Sequence, residues 1–164
     1  MYVHIRQANL ADPRDANGIV TLINTYALDP MGGGQPLSSE VKQRLVPALR
    51  DHPTTLVLLA FVDEAPIGIA VCFVGFSTFR AQPLLNIHDL AVLPQYRGEG
   101  VGHALLLAAE DYARRNGCCK LTLEVLERNS SARALYRRFG FDDSAVESPE
   151  STRFLAKTLE ALRP

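Results

Sequence analysis

A glycine-rich turn between a strand pattern and a helix pattern constrains this chain of 164 residues more than any other feature. The segment Arg97–Gly102 has the sequence Arg-Gly-Glu-Gly-Val-Gly, follows the apolar run Leu84–Leu93, and leads into a helical pattern from about Glu99 to Asn116. Three glycines at alternate positions let the backbone turn sharply and expose its N–H groups without Cβ atoms in the way. A helix that begins there adds its own free N–H groups and the positive end of its dipole. The segment therefore predicts a backbone-built site for a phosphate or pyrophosphate.

The spacing of these glycines excludes two common phosphate loops. No Gly-Lys-Ser or Gly-Lys-Thr follows, as a Walker loop requires, and no Gly-x-Gly-x-x-Gly occurs. An ordinary turn between a strand and a helix is the alternative interpretation. Gln95–Gly100, preceded by Leu90–Pro94, instead resembles the acetyl-CoA signature Gln/Arg-x-x-Gly-x-Gly/Ala of the GNAT superfamily of N-acetyltransferases.

A second motif supports this resemblance. Asn129–Phe141 is similar to the family's block Asn-x-x-Ala-x-x-x-Tyr-x-x-x-Gly-Phe. One predicted helix and one predicted strand separate the two motifs, as they do in the family. The resemblance is tight from about Leu84 to Phe141 and only architectural before that point.

The order of predicted elements is strand, two helices, three strands, helix, strand, helix and strand. Asp12 is the predicted N-cap of the first helix, with Pro13 at its first position, and Ser38 or Ser39 is the predicted cap of the second. The strands are predicted within Val3–Ala8, Thr54–Val62, Ile67–Phe76, Leu84–Leu93, Leu121–Val125 and Ser151–Leu159, with a turn at Asp63–Pro66 and a last helix from Asn129 or Ser130 to Phe139. The resemblance implies one α/β domain over residues 1–164 with the GNAT fold. In that fold a mixed, mostly antiparallel sheet, flanked by helices, splays open between its fourth and fifth strands.

The composition is that of an ordinary folded domain and narrows the partners. Hydrophobic residues make up 47% of the chain, charged residues 21%, and the net charge is −1. This balance argues against a general binder of nucleic acid or of an anionic membrane surface. Cys72, Cys118 and Cys119 have no metal-ligand spacing and no disulfide pattern, so we expect a cytoplasmic protein without a metal. We also expect a homodimer.

The resemblance implies acetyl-CoA as co-substrate and assigns two groups of residues to it. The phosphate-binding group is Arg97, Gly98, Glu99, Gly100, Val101, Gly102 and His103. The pantetheine-binding group is Leu90, Ala91 and Val92 of the strand, with Asn129 and Ala132 of the last helix. In the family a bulge in this strand aims an N–H, here that of Leu90, at the thioester oxygen. Two structural alternatives stay open: Leu90 and Val92 as buried strand residues, and Asn129 as a helix cap.

Three residues are candidates for the chemistry of transfer. The resemblance places Tyr136 beside the CoA sulfur, where a phenol can donate a proton to the departing thiolate; packing in the core is the alternative. His88 and Asp89 are candidates for the base that removes the amine proton. An unperturbed imidazole titrates at about pH 6.5, which suits this role, whereas a carboxylate requires a raised pKa or a water relay. Polyamine acetyltransferases carry a carboxylate at the His88 position, so the base stays open between the two residues.

The acceptor is the least constrained part of the prediction. The stretch from Phe76 to Asp89 loosely resembles the polyamine branch of the family, which favours a primary amine on a small cationic molecule. Asp89 and Glu124 are the carboxylates that we expect near a cation, with solvated acids or acids paired with arginines as the alternative. The loop Gly32–Gly34 fits a flexible lid or an ordinary loop. The alternatives are an acetyltransferase of proteins or peptides and a CoA-binding sensor without activity. With no cysteine placed as an acyl carrier, we expect direct transfer.

Overall fold

The computed structural model describes residues 2–142 and Lys157. Five strands and four α-helices follow one another in the predicted order, with a short 3-10 turn at Pro94–Tyr96. The elements are β1 (His4–Gln7), α1 (Pro13–Leu28), α2 (Ser39–Asp51), β2 (Thr55–Val62), β3 (Ala65–Ser77), β4 (Gln82–Val92), α3 (Val101–Arg115), β5 (Leu121–Leu123) and α4 (Ser130–Phe139). The last predicted strand, within Ser151–Leu159, lies outside the described residues.

The described strands form one mixed sheet in the order β1-β2-β3-β4-β5. Every neighbouring pair is antiparallel except β4 and β5, which are parallel. The hairpin between β2 and β3 has a turn of only two residues, Asp63 and Glu64, both with positive φ (46° and 66°). Two such residues give a turn whose twist matches that of the strands. The predicted turn was therefore two residues too long, and β3 begins at Ala65.

The helix caps follow the local sequence. Asp12 accepts the N–H of Arg14 at the start of α1, and Ser38 accepts the N–H of Val41 at the start of α2. Each cap satisfies one of the N–H groups that a helix leaves without an internal partner. The prediction for α1 was correct, and of the two serines considered for α2, Ser38 is the cap.

Two apolar layers hold the helices on opposite faces of the sheet. Helices α1 and α2 cover one face, where Ile19 and Leu22 pack against Leu59 and Ile69. Helix α3 covers the other face, where Leu105 packs among buried residues of the strands. Burial of these side chains is the main stabilising term of the fold. Strand β4 contributes to both layers and so lies between the α1 side and the α3 side.

A buried ion pair fixes α1 to the first strand. Both carboxylate oxygens of Asp15 accept from the guanidinium of Arg6, each at 2.7 Å, and Oδ2 also accepts the N–H of Asn9. The hydrogen bonds from Arg6 hold the pKa of the Asp15 carboxyl below its usual range. Bidentate charge-assisted hydrogen bonds of this kind define the relative orientation of the two side chains and also stabilise the contact. The pair thus holds the first turn of α1 against β1.

The fourth and fifth strands separate as predicted. Strand β5 pairs with β4 at three positions, from Leu85 opposite Leu121 to Ile87 opposite Leu123. Strand β4 continues to Val92, five residues beyond the last pair. Strand β5 ends at Leu123, two residues earlier than predicted. The divergence leaves an opening whose one wall is the stretch His88–Val92, which we call the open edge of β4.

Candidate active site

The glycine turn Arg97–Gly102 presents a row of unused backbone donors. Gly98 and Gly100 have φ of +82° and +83°, a conformation that favours glycine, and a Cβ at either position meets no atom within 4 Å. The first backbone bond of α3 runs from the N–H of Ala104 to the carbonyl of Gly100. Among the described residues, the N–H groups of 98–103 have no backbone acceptor. They form a row of donors at a helix N-terminus, an arrangement that suits an anion such as a pyrophosphate.

Gly102 and His103 also join α3 to α4. A Cβ on Gly102 lies 3.1 Å from Cδ2 of Leu135, so the glycine allows close packing of the two helices. The ring of His103 meets the ring of Phe139 edge-on, with centroids 5.4 Å apart. These packing contacts are separate from the predicted contacts with acetyl-CoA, which use the backbone N–H groups of the two residues. Both residues keep their N–H groups on the glycine turn.

The guanidinium of Arg97 is held by two acceptors within the chain. Its Nε donates to the carbonyl oxygen of Val92 at 3.0 Å, and its Nη2 donates to Oδ2 of Asp29 at 2.9 Å. The resemblance assigns Arg97 to the phosphate, and these two hydrogen bonds also connect the end of β4 to the end of α1. Any contact of Nη1 with a donor phosphate stays a prediction.

The open edge of β4 supplies backbone groups for an extended ligand. Residues 89–92 pair with β3 along one edge, and beyond Ile87 no described strand pairs with the other edge. Backbone N–H and C=O groups without partners are costly when they are buried away from water. An extended chain of amide groups laid along this edge satisfies them, which is the fit that pantetheine requires. Leu90 and Val92 also pack against the α3 side, so their side chains and backbone serve separate purposes.

A β-bulge turns two successive side chains toward the same face. The register shifts so that Cys72 is opposite Ile87 while Val71 is opposite Asp89, which leaves His88 as the extra residue. Ile87 lies in the α3 layer, whereas Val71 lies in the α1 layer and its partner Asp89 shares that face. His88 contacts Phe73 of the same layer. The bulge thus presents His88 and Asp89 together on the α1 side. A bulge in this strand is what the family resemblance implied, and the aim of the Leu90 N–H at a thioester oxygen stays a prediction.

Asp89 is a half-buried carboxylate without a hydrogen bond in the part of the chain that the structure describes. Burial raises the pKa of its carboxyl, and the neighbouring His88 partly offsets that rise. A carboxylate deprived of water and of donors favours a cation as its partner. His88 is exposed, and its ring meets Phe73 edge-on with centroids 5.6 Å apart. The two candidate bases are therefore adjacent and differ in burial.

Tyr136 lies on the opposite side of the opening. It belongs to α4, packs against the α3 layer, and meets the ring of Phe141 edge-on at 5.8 Å. Burial raises the pKa of its phenol to about 12, and the nearby Tyr26 adds to this rise. A phenol with this pKa stays protonated at neutral pH. Such a phenol suits the role of a hydrogen-bond donor to a developing thiolate. Full transfer of its proton, which the resemblance suggested, is less favourable than it is for a phenol of ordinary pKa.

Tyr26 is the site residue that sequence reasoning missed. It lies in the last turn of α1, where it lines a small cavity with Ala91, Val92 and Arg97. Burial raises the pKa of its phenol, and the charges of Asp89 and Asp29 raise it further. Its apolar spacing with Leu22 and Ile23 indicated a core position, and no local signal distinguished it from one. It lies near both Asp89, whose charge raises the pKa of Tyr26, and Tyr136, whose pKa Tyr26 raises in turn.

The comparisons with known proteins agree with this geometry. The model of the acetyltransferase (GNAT) family matches residues 20–141. The chain belongs to the GNAT family. It is therefore an N-acetyltransferase, as the two motifs predicted, and its fold is the GNAT fold.

Two relatives and one solved structure illustrate the similarity of this acetyltransferase to others. An uncharacterized N-acetyltransferase of Bacillus subtilis, YhfO, is 32% identical over 147 residues, which cover 86% of this chain and 91% of the relative. Thialysine N-epsilon-acetyltransferase of Bos taurus is 31% identical over 170 residues, covering 98% of this chain and 97% of the relative. The structure of AAC(6′)-Iy in complex with the bisubstrate analogue CoA-S-monomethyl-acetylneamine superimposes with a TM-score of 0.74 at 18% identity, covering 97% of this chain and all of that one.

Asn129 is a helix cap in this acetyltransferase. Its side-chain oxygen accepts the N–H of Ala132 at 3.2 Å, at the start of α4. Of the two roles considered for Asn129, the structure therefore contains the cap, which also occupies the Ala132 N–H. A contact of either residue with the pantetheine arm stays a prediction. Glu124, the second predicted carboxylate, is exposed and directly follows β5.

One cavity of the chain lies away from these residues. It has a volume of about 870 Å³ and follows the outer edge of β5, between the β3–β4 hairpin and the ends of α3 and α4. Phe79, Cys118, Cys119 and Phe139 are among its lining residues, and none of the candidate catalytic residues is. We assign the site from the glycine turn and the open edge of β4, because the backbone groups there suit a pyrophosphate and an amide-containing arm.

Residues 2–142 and Lys157 contain neither a cluster of metal-binding side chains nor a helix suited to crossing a membrane. No group of three or more histidine, cysteine, aspartate or glutamate side chains there is arranged to hold a metal ion. None of the helices described is long and apolar enough to cross a membrane.

Proposed function

We propose that this acetyltransferase moves an acetyl group from acetyl-CoA directly to the primary amine of a small cationic molecule. The observation that carries the proposal is the continuity of two backbone surfaces. The open edge of β4 ends at Val92, and the unpaired N–H groups of the glycine turn begin six residues later at Gly98. One surface suits an amide-containing arm and the other suits a pyrophosphate, in the order in which CoA carries them.

Acetyl-CoA, when bound, supplies a thioester whose carbonyl carbon accepts the amine and whose thiol leaves. The chain contributes groups on both sides of that carbon. On the α1 side, the carboxylate of Asp89 binds the ammonium and orients it, because this carboxylate has no competing hydrogen bond among residues 2–142. His88, next to it on the same face, removes the proton that the nitrogen must lose before it can attack.

On the α3 side, Tyr136 donates its hydroxyl proton in a hydrogen bond to the sulfur as the C–S bond breaks. Its burial keeps the hydroxyl protonated, so the donor is ready at neutral pH. Proton removal and thiolate stabilisation are then separated by the opening, and neither group neutralises the other. This separation supports direct transfer between two bound substrates.

The cysteines of the chain also favour direct transfer. Cys72 is fully buried, and burial raises the pKa of its thiol to about 12. A thiol needs its thiolate form to act as a nucleophile, so Cys72 is inert as an acyl carrier. Cys118 and Cys119 line the cavity at the outer edge of β5 instead of the opening beside β4.

Two features support a small amine as acceptor. The bovine relative is named for thialysine, and the analogue in the structural neighbour carries acetylneamine, both small molecules with amino groups. In this chain the carboxylate that faces the α1 side of the opening is Asp89, which suits the ammonium group.

A panel of acceptors tests the proposal. Diamines, polyamines, thialysine, amino acids, an aminoglycoside and short peptides are compared at one concentration by release of the CoA thiol and by mass of the product. We expect at least one small amine to be acetylated faster than every peptide. Faster acetylation of peptides than of all small amines contradicts the acceptor class, while absence of turnover with every acceptor contradicts the proposed reaction.

Replacement of His88 by alanine tests the base. We expect kcat to fall mainly at neutral pH and to recover partly at high pH, where more of the acceptor amine is already deprotonated in solution. Asp89→Asn is the matched variant, and we expect it to raise KM for the acceptor across the whole pH range, because it removes the charge that binds the ammonium. Full pH profiles of both variants are the measurement. A His88→Ala profile parallel to that of the wild type assigns proton removal to Asp89 or to water.

A further inference from the structure

Asp29 uses all of its polar atoms at the junction between α1 and the loop that follows. Its N–H donates to the carbonyl of Tyr26 at 3.0 Å, and its own carbonyl accepts the N–H groups of Gly32 and Gly34. In its side chain, Oδ1 accepts the N–H of Met31 at 2.8 Å and Oδ2 accepts from Arg97. The contacts to residues 31, 32 and 34 join the glycine loop to the end of α1. The contact to Arg97 is different, because it joins two parts of the chain that are 68 residues apart.

Arg97 is held from two directions, which fixes the plane of its guanidinium. Asp29 accepts from Nη2 and the last residue of β4, Val92, accepts from Nε. Nη1 has no partner among the described residues. Arg97 is the first residue of the glycine turn, so this nitrogen lies at the entrance of the turn. An arginine side chain is long and flexible, and a fixed fork loses less freedom when it binds an anion than a mobile one does.

The negative charge of Asp29 has one of two opposite effects on the affinity for an anionic ligand. If Asp29 only neutralises Arg97, its carboxylate competes with a phosphate and weakens donor binding. If Asp29 positions Arg97, it strengthens donor binding although it is itself negative. The side chain of Asp29 is 17% exposed, and that of Arg97 is 48% exposed. The carboxylate is thus turned inward, where it accepts a hydrogen bond from the N–H of Met31. The guanidinium of Arg97 faces the solvent, where it is accessible to an anionic ligand.

This inference rests on the proposed function. We propose that Asp29 is a positioning residue, which orients Arg97 for the binding of acetyl-CoA. It holds Arg97 so that Nη1 is presented to the pyrophosphate at the entrance of the glycine turn. The end of α1 and the glycine turn then act as one unit, and the acceptor side of the site is connected to donor binding through a single ion pair.

The test is a double-mutant cycle read by calorimetric titration of acetyl-CoA. We expect Asp29→Asn to raise Kd about fivefold, the upper range for a partly exposed ion pair, since asparagine keeps an acceptor for Met31 but loses the charge. In an Arg97→Ala background the same change has no further effect. At saturating acetyl-CoA, kcat of Asp29→Asn stays within about twofold of the wild type.

Glu40→Gln is the charge-matched control. It also removes one negative charge, from the exposed pair of Glu40 with Arg44 on α2, and leaves the donor side untouched. Arg97→Lys examines the pair from the other partner, because lysine keeps the positive charge but cannot bond to Asp29 and Val92 as a fork; we expect a similar rise in Kd.

The outcomes separate this inference from the proposed function. Unchanged or tighter binding by Asp29→Asn, or an equal loss in the Arg97→Ala background, overturns the positioning role while the wild type still binds acetyl-CoA. A wild-type protein that does not bind acetyl-CoA overturns the proposed function itself. If Asp29→Asn does not fold, the Kd of Arg97→Lys decides: a value equal to that of the wild type overturns the inference.

Discussion

Gly100→Glu is expected to weaken acetyl-CoA binding about 100-fold or more. Gly100 is the N-cap of α3, and its N–H belongs to the unpaired donors of the glycine turn. A glutamate there places a second negative charge within a few ångströms of the pyrophosphate, where like charges cost several kcal/mol at the effective dielectric of a protein surface. It also brings side-chain atoms into space that the ligand requires. Calorimetric titration of acetyl-CoA measures the effect.

Gly117→Glu is the matched control for this variant. Gly117 also has a positive φ, +69°, and a Cβ there also meets nothing within 4 Å, but it lies at the far end of α3. Both variants carry the same backbone strain of about 1–2 kcal/mol. We therefore expect the midpoint temperature of thermal unfolding to fall to a similar extent in both. We expect only Gly100→Glu to lose donor binding. Equal donor affinities for the two variants contradict the phosphate site.

Tyr136→Phe is expected to lower kcat by about 10²- to 10³-fold and to leave the affinity for acetyl-CoA nearly unchanged. The change removes only the hydroxyl, whose proposed contact is with the sulfur as negative charge develops there. Loss of one preoriented hydrogen-bond donor to a developing anion has an effect of this size. The variant keeps the ring that packs against Phe141, so the fold is retained. Rapid-quench turnover, which isolates the chemical step, is the measurement.

Tyr112→Phe provides the comparison for Tyr136→Phe. Tyr112 is also a half-buried tyrosine packed against the α3 layer, but it lies on α3 itself and takes no part in the proposed chemistry. We expect its kcat to equal that of the wild type. If the two variants have the same kcat under chemistry-limited conditions, Tyr136 is a packing residue only.

Local rules account for the features that the sequence predicted well. The positive φ of Gly98 and Gly100 follows from the need for a sharp turn between a strand and a helix. Asp12 and Asn129 cap their helices because a short polar side chain can reach the N–H groups of the first turn. Each of these inferences uses residues that are at most three positions apart.

The features that the sequence did not predict depend on contacts between distant segments. The position of the bulge at His88 is a property of the pairing between β3 and β4, whereas the family resemblance implied only that this strand contains a bulge. Tyr26 belongs to the site because the end of α1 lies beside β4, and Arg97 is turned toward α1 by Asp29, 68 residues away. Sequence spacing indicated packing for Tyr26 and gave no sign of the contact between Arg97 and Asp29, because spacing describes one element at a time.

Stoichiometry of the reaction is the most direct test of acetyl transfer from acetyl-CoA. The purified chain is supplied with acetyl-CoA and the best amine of the panel, and the released thiol and the acetylated amine are quantified together, with the intact mass of the protein recorded during turnover. We predict thiol and product in equal amounts, dependent on both substrates, with no acetylated protein accumulating. Thiol released without acetylated amine, or an acetylated protein that forms before the amine is added and then transfers its acetyl group, contradicts the direct mechanism.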